Sequence, residues 1–450
     1  MEKLKLSMLL LIFSILGFAQ DFVGSWKGNL EVMGQQLPLV FNISKTPQGY
    51  SSTIDSPMQG AVGIPVDKTE VVSGEIILTQ SAMNAKFNGK ITDGKLNGTF
   101  SQNGMQLPLV LAKTDKNDLG LHRPQSPKPP FDYLQEEVII KNNKQGNALA
   151  GTLVLPKNFN KKSPVLVLIT GSGAQNRNEE LFGHQPFLVI ADDFAKKGIA
   201  TLRMDDRGVG GSEKGKENPT SADFATDIDA AVEFLKSKGY QNIGLLGHSE
   251  GGMIAPIVAS QNKNVKFMVL LAAPGEPIKN LMIQQNEMIG KAAGMSETQL
   301  EKAKEINAKI YDFVINYNGK DLENDLKNQV LKSQGLSGEA LDANAEQLAN
   351  PWMVYFLKFN PEDYLSKIKI PTFALNGSLD MQVSAKENLE GIKKSLAKAG
   401  NKNYKTEEFK GLNHLFQTAK TGNPNEYGQI EETMAPQVLG AISTWLLGLK

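Results

Sequence analysis

Hydrophobic and polar positions follow two different rhythms along this chain. From Asp21 to about Thr114, apolar and polar residues alternate in short runs such as Ser25 to Val32, Leu37 to Ser44 and Gly74 to Thr79, broken by Gly, Asn, Asp and Pro. This predicts an all-β domain, a small barrel or a sandwich. Gln36-Leu37-Pro38-Leu39-Val40 returns as Gln106-Leu107-Pro108-Leu109-Val110, so one strand type stands near both ends of the segment. Proline has no N–H to give a ladder, which places each copy at an edge or a strand start. Residues 115–131, with Pro124, Pro127, Pro129 and Pro130, disfavour helix and read as an extended linker.

Beyond the linker, short apolar runs alternate with helical periods. Val165–Ile169 is followed by Phe187–Lys197, Ala200–Met204 by Ala222–Lys236, and Ile243–Leu246 by Gly251–Ala259. Strands apolar on both faces, separated by helices, predict a mostly parallel sheet with helices on each side. The alternation pauses after Phe267–Leu271 and resumes at Ile370. The insertion, residues 276–365, is helical in rhythm, with Ser296 and Gln299 as a capping box, and its apolar residues Met282, Met288, Trp352 and Phe356 suit a cap over a site. The division expected is thus 20–114 for the β domain, 115–131 for the linker and 132–450 for the α/β domain with its cap.

The first residues carry Lys3 and Lys5, an apolar core from Met8 to Phe18, and small residues Gly17 and Ala19. That is the pattern of an export signal over 1–19, and its apolar core falls short of the roughly 20 residues a spanning helix needs. An exported, periplasmic or extracellular protein is expected, without a membrane attachment once the signal is removed. The absence of cysteine excludes a thiol nucleophile, a disulfide framework and thiolate metal sites. Forty-eight basic and forty-eight acidic residues leave no net field to draw nucleic acid, so a small-molecule substrate is expected. No HExxH or clustered ligand set calls for a metal, Gly208-Val209-Gly210-Gly211 lacks the spacing of a nucleotide loop, and no cofactor is expected.

Gly247-His248-Ser249-Glu250-Gly251 follows an apolar strand and opens a helix. A serine on such a strand-to-helix turn needs glycine two positions before and after it for clearance, and it meets the positive end of the helix. Ser249 is therefore the candidate nucleophile. Its hydroxyl needs a base, for which the chain has four histidines. His122 lies in the linker and His248 is fixed beside the serine; His184 is possible, but His414, after the turn Gly411-Leu412-Asn413, is the better base. Asp380, following a strand and Asn376-Gly377-Ser378, is placed to hold the imidazole tautomer. The chain order Ser249, Asp380, His414 is that of α/β-hydrolases. For the oxyanion, one amide falls on Glu250 and the other on Ser172 in Thr170-Gly171-Ser172-Gly173, with Gly173 the neighbouring candidate. Asp205-Asp206-Arg207-Gly208 reads as a loop fixed by ion pairing.

From the linker to the C-terminus these motifs resemble secreted α/β-hydrolases of the EstD esterase type, some of them described as serine aminopeptidase-like. The resemblance is carried by Arg123-Pro124-Gln125, Pro129-Pro130-Phe131, Leu149-Ala150-Gly151-Thr152-Leu153, Asp205-Asp206-Arg207-Gly208, Gly247-His248-Ser249-Glu250-Gly251 and Leu375-Asn376-Gly377. It implies the α/β-hydrolase fold and hydrolysis of carboxylic esters with short acyl chains by Ser249, Asp380 and His414. Such proteins tend to show Gly-Ser-Gly-Pro-Gln-Asp-Arg-Asp-Glu where this chain has Gly171-Ser172-Gly173-Ala174-Gln175-Asn176-Arg177-Asn178-Glu179, so two carboxylates are replaced beside the oxyanion loop. Two alternatives stand beside the esterase: an aminopeptidase with the same triad, which needs an acidic group in the cap for the substrate amine, and a glycan-binding protein in which the hydrolase fold is a scaffold.

Overall fold

The computed structural model describes residues 21–32, 35–59, 61–102, 104–115 and 122–449; the expected signal, 1–19, lies outside them. Contacts divide the chain into two units, one ending at Leu121 and the other running from His122 to Lys450.

In the first unit, nine antiparallel strands form one sheet curled into a half-barrel. The strand Gly24–Val32 pairs with Gln35–Thr46 on one side and with Met105–Thr114 on the other. Inward-facing residues alternate along each strand, and Trp26, Phe41 and Phe87 fill the interior, with the last two rings edge-on at 5.0 Å. Trp26 Nε1 donates to the Phe22 carbonyl at 2.7 Å, which satisfies its one polar atom. Both strands carrying the repeated Gln-Leu-Pro-Leu-Val lie inside the sheet, not at its edges. Each proline nevertheless sits where its strand has one neighbour: Pro38 pairs only with Asn29, since the ladder on the other side begins at Val40, and Pro108 pairs only with Thr99.

The second unit is built on an eight-stranded sheet. Its strands, numbered here β1 to β8, are Leu134–Asn142, Asn147–Leu155, Pro164–Ile169, Ala200–Met204, Asn242–His248, Val265–Leu271, Thr372–Gly377 and Tyr404–Phe409. Their spatial order is 1-2-4-3-5-6-7-8, with β2 antiparallel to both neighbours and the rest parallel. The sequence of β3 shows why both faces must be covered. Val165, Val167 and Ile169 enter one core with helices α2 (Ser221–Ser237) and α3 (Glu250–Gln261), whereas Leu166 and Leu168 enter another with α1 (Pro186–Lys196) and the C-terminal helix Pro436–Leu447. Period-two alternation of apolar residues on both sides is the pattern of a sandwiched parallel sheet.

Between β6 and β7 the chain leaves the sheet for the helical cap, from Ile278–Ala292 through Pro351–Lys358 to Glu362–Leu365. The cap has its own core of Ile310, Tyr311, Val314, Leu326, Leu331, Leu341 and Leu357. The proline-rich stretch before β1 is fastened to this unit. Arg123 donates to the carbonyls of Phe182, Gly428 and Ile430, and Gln125 exchanges hydrogen bonds with Thr433 and Met434. No described helix is long and apolar enough to cross a membrane.

Leu202 is fully buried at the centre of β4. Leu202→Ala is expected to destabilise the second unit by about 2–5 kcal/mol through lost transfer energy and a residual cavity, measured by chemical denaturation with a probe in that unit.

Candidate active site

The strand β5 ends at His248 and α3 begins at Glu250, leaving Ser249 alone on the turn with φ 54° and ψ −117°. A non-glycine residue holds that left-handed conformation only where its surroundings over-determine it. They do so here by close approach. A Cβ on Gly247 would lie 2.1 Å from the Gly251 carbonyl oxygen, and one on Gly251 would lie 2.1 Å from the Ile169 carbonyl oxygen. Only glycine lets the turn close and α3 press against the end of β3. The Ser249 amide donates to the Leu271 carbonyl at 2.8 Å, which fixes the turn to β6. As the first helical residue, Glu250 has an amide with no partner inside α3.

His414 and Asp380 meet at the ends of β8 and β7. His414 Nδ1 lies 2.8 Å from Asp380 Oδ2, and Asp380 Oδ1 accepts the amides of Gln382 and Val383 at 2.8 and 2.9 Å. Because a carboxylate only accepts, the proton belongs on Nδ1, which leaves Nε2 with a free lone pair. The loop carrying His414 is held by Asn413, whose Oδ1 accepts the amides of Leu415 and Gln417. Leu379 donates its amide to the Leu412 carbonyl at 2.9 Å, tying the acid and base loops together.

Ser249 is brought to this corner through its neighbour. His248 Nε2 lies 3.0 Å from the His414 carbonyl oxygen, and the two imidazoles are 4.9 Å apart between centroids. Among the described residues the Ser249 hydroxyl makes no hydrogen bond to His414; in hydrolases without substrate this contact is often long and tightens on binding. On the other side, a Cβ on Gly171 would lie 3.4 Å from the Ser249 Cβ, so the loop after β3 faces the serine with its backbone. The Gly171 amide is taken by Glu179 Oε1 at 2.8 Å, which leaves Ser172 as the next amide along the loop.

The family described as serine aminopeptidase, S33, matches residues 185–333. Esterase EstD of Thermotoga maritima is 26% identical over 356 residues, covering 75% of this chain and 76% of that protein. The chain is an ester hydrolase of the α/β-hydrolase fold, similar to esterase EstD. Among solved structures, an esterase of Pyrococcus furiosus has 16% identity with a TM-score of 0.42, covering 73% of this chain and 97% of its own. Est1E from Butyrivibrio proteoclasticus has 18% identity with a TM-score of 0.41, covering 69% and 97%.

The hydrolase has a cavity of about 910 Å³ beside the serine turn. Ser249 and His414 are not among its lining residues, but their neighbours Gly171, Ser172, Gly173 and Glu250 are. Leu149, Phe224, Ile228 and Ile254 supply apolar wall, and the cap contributes Gln347, Asn350, Trp352 and Met353. Trp352 Nε1 donates to Glu250 Oε1 at 2.8 Å, and the Ser221 hydroxyl donates to the same oxygen at 2.6 Å. The cap is thus hydrogen-bonded to the residue that follows Ser249.

The acidic loop after β4 divides by role. Asp205 receives Arg177, and Arg207 pairs with Asp227 at 2.6 Å, both structural. Asp206 lines the cavity and braces the oxyanion loop, accepting the Thr170 hydroxyl at 2.8 Å and the Gln175 amide at 2.9 Å. The two asparagines that replace carboxylates serve the same loop: Asn178 accepts from Arg203, and Asn176 Oδ1 accepts the Asn178 amide. His184 is structural, set between Thr433, Gln417 and the Tyr427 carbonyl, and burial lowers its pKa to about 4, with Arg123 adding to the effect. His122 sits on the surface 2.9 Å from Glu431.

Sequence reasoning passed over Glu179 and the side chain of Glu250, and it read Asp206 as part of an ion-paired loop, whereas its partners are the Thr170 hydroxyl and the Gln175 amide. A carboxylate at the end of the oxyanion-loop motif was the one available signal for Glu179; Glu250 carried none beyond its place after the serine.

Burial pushes the Asp206 carboxyl up to about 7; hydrogen bonds from Gln175 and Thr170 oppose this, while Glu179 and Glu250 add to it. A carboxyl with a raised folded value stabilises the fold fully below its ordinary value of 3.8, and that contribution is lost as pH rises through about 7. From about pH 5 to 8 the thermal midpoint of the wild type is therefore expected to fall relative to that of Asp206→Asn. Parallel midpoint-against-pH curves for the two proteins would contradict this.

Proposed function

We propose that this hydrolase cleaves carboxylic esters of short acyl chains through an acyl-serine intermediate. The observation that carries the reading is a serine held at the strained turn next to His248, whose ring lies 4.9 Å from that of His414, the histidine whose tautomer is set by a doubly hydrogen-bonded carboxylate. Ser249 Oγ attacks the ester carbonyl as its proton passes to His414 Nε2, and the negative oxygen is received by the amides of Ser172 and Glu250. Collapse breaks the carbon–oxygen bond, and the leaving alkoxide takes the proton from His414. Water then gives a proton to His414 and attacks the acyl carbon, releasing the acid as Ser249 regains its proton. Asp380 stays ionised throughout and stabilises the imidazolium.

The aminopeptidase reading draws support from the family description. It calls for an acidic group in the cap, whereas the cap residues on the described wall, Gln347, Asn350, Trp352 and Met353, are all neutral. The carboxylates on that wall, Asp206, Glu217 and Glu250 among them, come from outside the cap, so the acidic cap group this reading calls for is not among the described lining residues.

Hydrolysis of p-nitrophenyl acetate and butyrate is expected to exceed that of aminoacyl p-nitroanilides. Ser249→Ala is expected to abolish it, and Asp380→Asn to lower kcat by on the order of 10⁴-fold through loss of the correct tautomer. Ester turnover that survives Ser249→Ala would end this reading, and faster turnover of the anilides would favour the peptidase.

A further inference from the structure

We propose that Glu179 and His248 form a positioning pair that sets the oxyanion loop, the nucleophile turn and the base loop in register, so that the ester hydrolysis proposed above depends on both. Glu179 Oε1 accepts the Gly171 amide at 2.8 Å and faces His248 Nδ1 at 2.9 Å, while His248 Nε2 faces the His414 carbonyl at 3.0 Å. Two side chains outside the triad therefore reach all three loops that must meet at the reacting carbon. Both are buried, Glu179 at 2% and His248 at 7% exposure, and their hydrogen bonds end on loop backbone and on each other, so they act through the loops they join.

The chemistry of the contacts fixes the state of the ring. Both partners of His248 are acceptors, a carboxylate oxygen and a backbone carbonyl, so both ring nitrogens must carry protons and the imidazole is a cation. Burial alone would strip that proton. The negative charge and hydrogen bond of Glu179 outweigh burial, aided by the His414 carbonyl and the charge of Asp380, and the pKa of His248 is raised. The charged and titratable groups facing the ring are thus Glu179 from the oxyanion loop, Asp380 from the acid loop and the His414 imidazole, whose centroid is 4.9 Å away.

A buried ion pair adds little to stability compared with apolar packing, so stability alone does not account for this one. Glu179 also holds φ at 54°, a conformation that glycine would adopt without strain. The position thus carries a strained backbone, a buried charge and a side chain whose contacts all end on catalytic loops.

The test compares wild type, Glu179→Gln, His248→Gln and the double variant on p-nitrophenyl acetate, with Ser249→Ala as the blank. Each single change is expected to lower kcat by on the order of 10²-fold, the cost of loops misplaced by about 1 Å. KM should move by less than about threefold, and the double variant should lose no more than the worse single one, because the pair acts as a unit. Glu179→Gln should also bring in an alkaline fall of kcat at lower pH than in wild type, since His248 then gives up its second proton more easily. Losses that merely follow the folded fraction, add in the double variant and leave the pH profile unchanged would overturn the proposal. Should either variant fail to fold, nitrogen-15 NMR of the wild-type imidazoles decides: a doubly protonated His248 at about pH 8 supports the pair and a neutral ring overturns it. An active wild type with indifferent variants defeats the pairing alone, whereas a wild type inert to esters and to fluorophosphonate labelling defeats the esterase reading and the pairing with it.

Discussion

The second unit is organised around one steric constraint, the turn that carries Ser249. A non-glycine residue at φ 54° and ψ −117° costs on the order of 1–3 kcal/mol, which the surrounding structure must supply. It does so with a strand paired on both sides, β3 to one flank and β6 to the other, and with a helix whose first turn is buried against them. The two glycines of the motif allow the backbone contacts that lock the turn. Once Ser249 is fixed there, the positions of the loop after β3, of β7 with Asp380 after it and of β8 with His414 after it are set by the order of the sheet.

The features legible in the sequence were those written in local spacing. Alternation along β3 announced a strand buried on both faces, and the partition of Val165, Val167 and Ile169 from Leu166 and Leu168 shows that alternation becoming two cores. The glycines flanking Ser249 were readable because the reason for them lies within five residues. The cap was readable as an interruption between β6 and β7. Of the two positions expected for Pro38 and Pro108, an edge or a strand start, the second is found: each strand is interior to the sheet while its first residues have only one neighbour, and the ladder registers that decide between the two are not local.

What stayed hidden depends on contacts between distant parts of the chain. Glu179 meets His248 across 69 positions, and Glu250 meets Trp352 across 102. Nothing in the local pattern separates Asp206, which braces the oxyanion loop, from Asp205, which binds Arg177, because both carboxylates sit in one acidic turn. Burial and partner geometry distinguish them. The same holds for Asn176 and Asn178, the replacements for carboxylates: each finds a hydrogen-bond partner, the Asn178 amide for one and Arg203 for the other.

The hydrogen bond from Trp352 to Glu250 bears on how such a protein can diversify. A buried carboxyl beside Ser249 draws one of its donors from an insertion that is otherwise folded around its own core. Recombining this sheet with a different helical insertion would strand that carboxyl unless the newcomer brought a donor to the same spot, or unless residue 250 changed in step. The insertion is therefore a separate folding module by its packing, but not an interchangeable part.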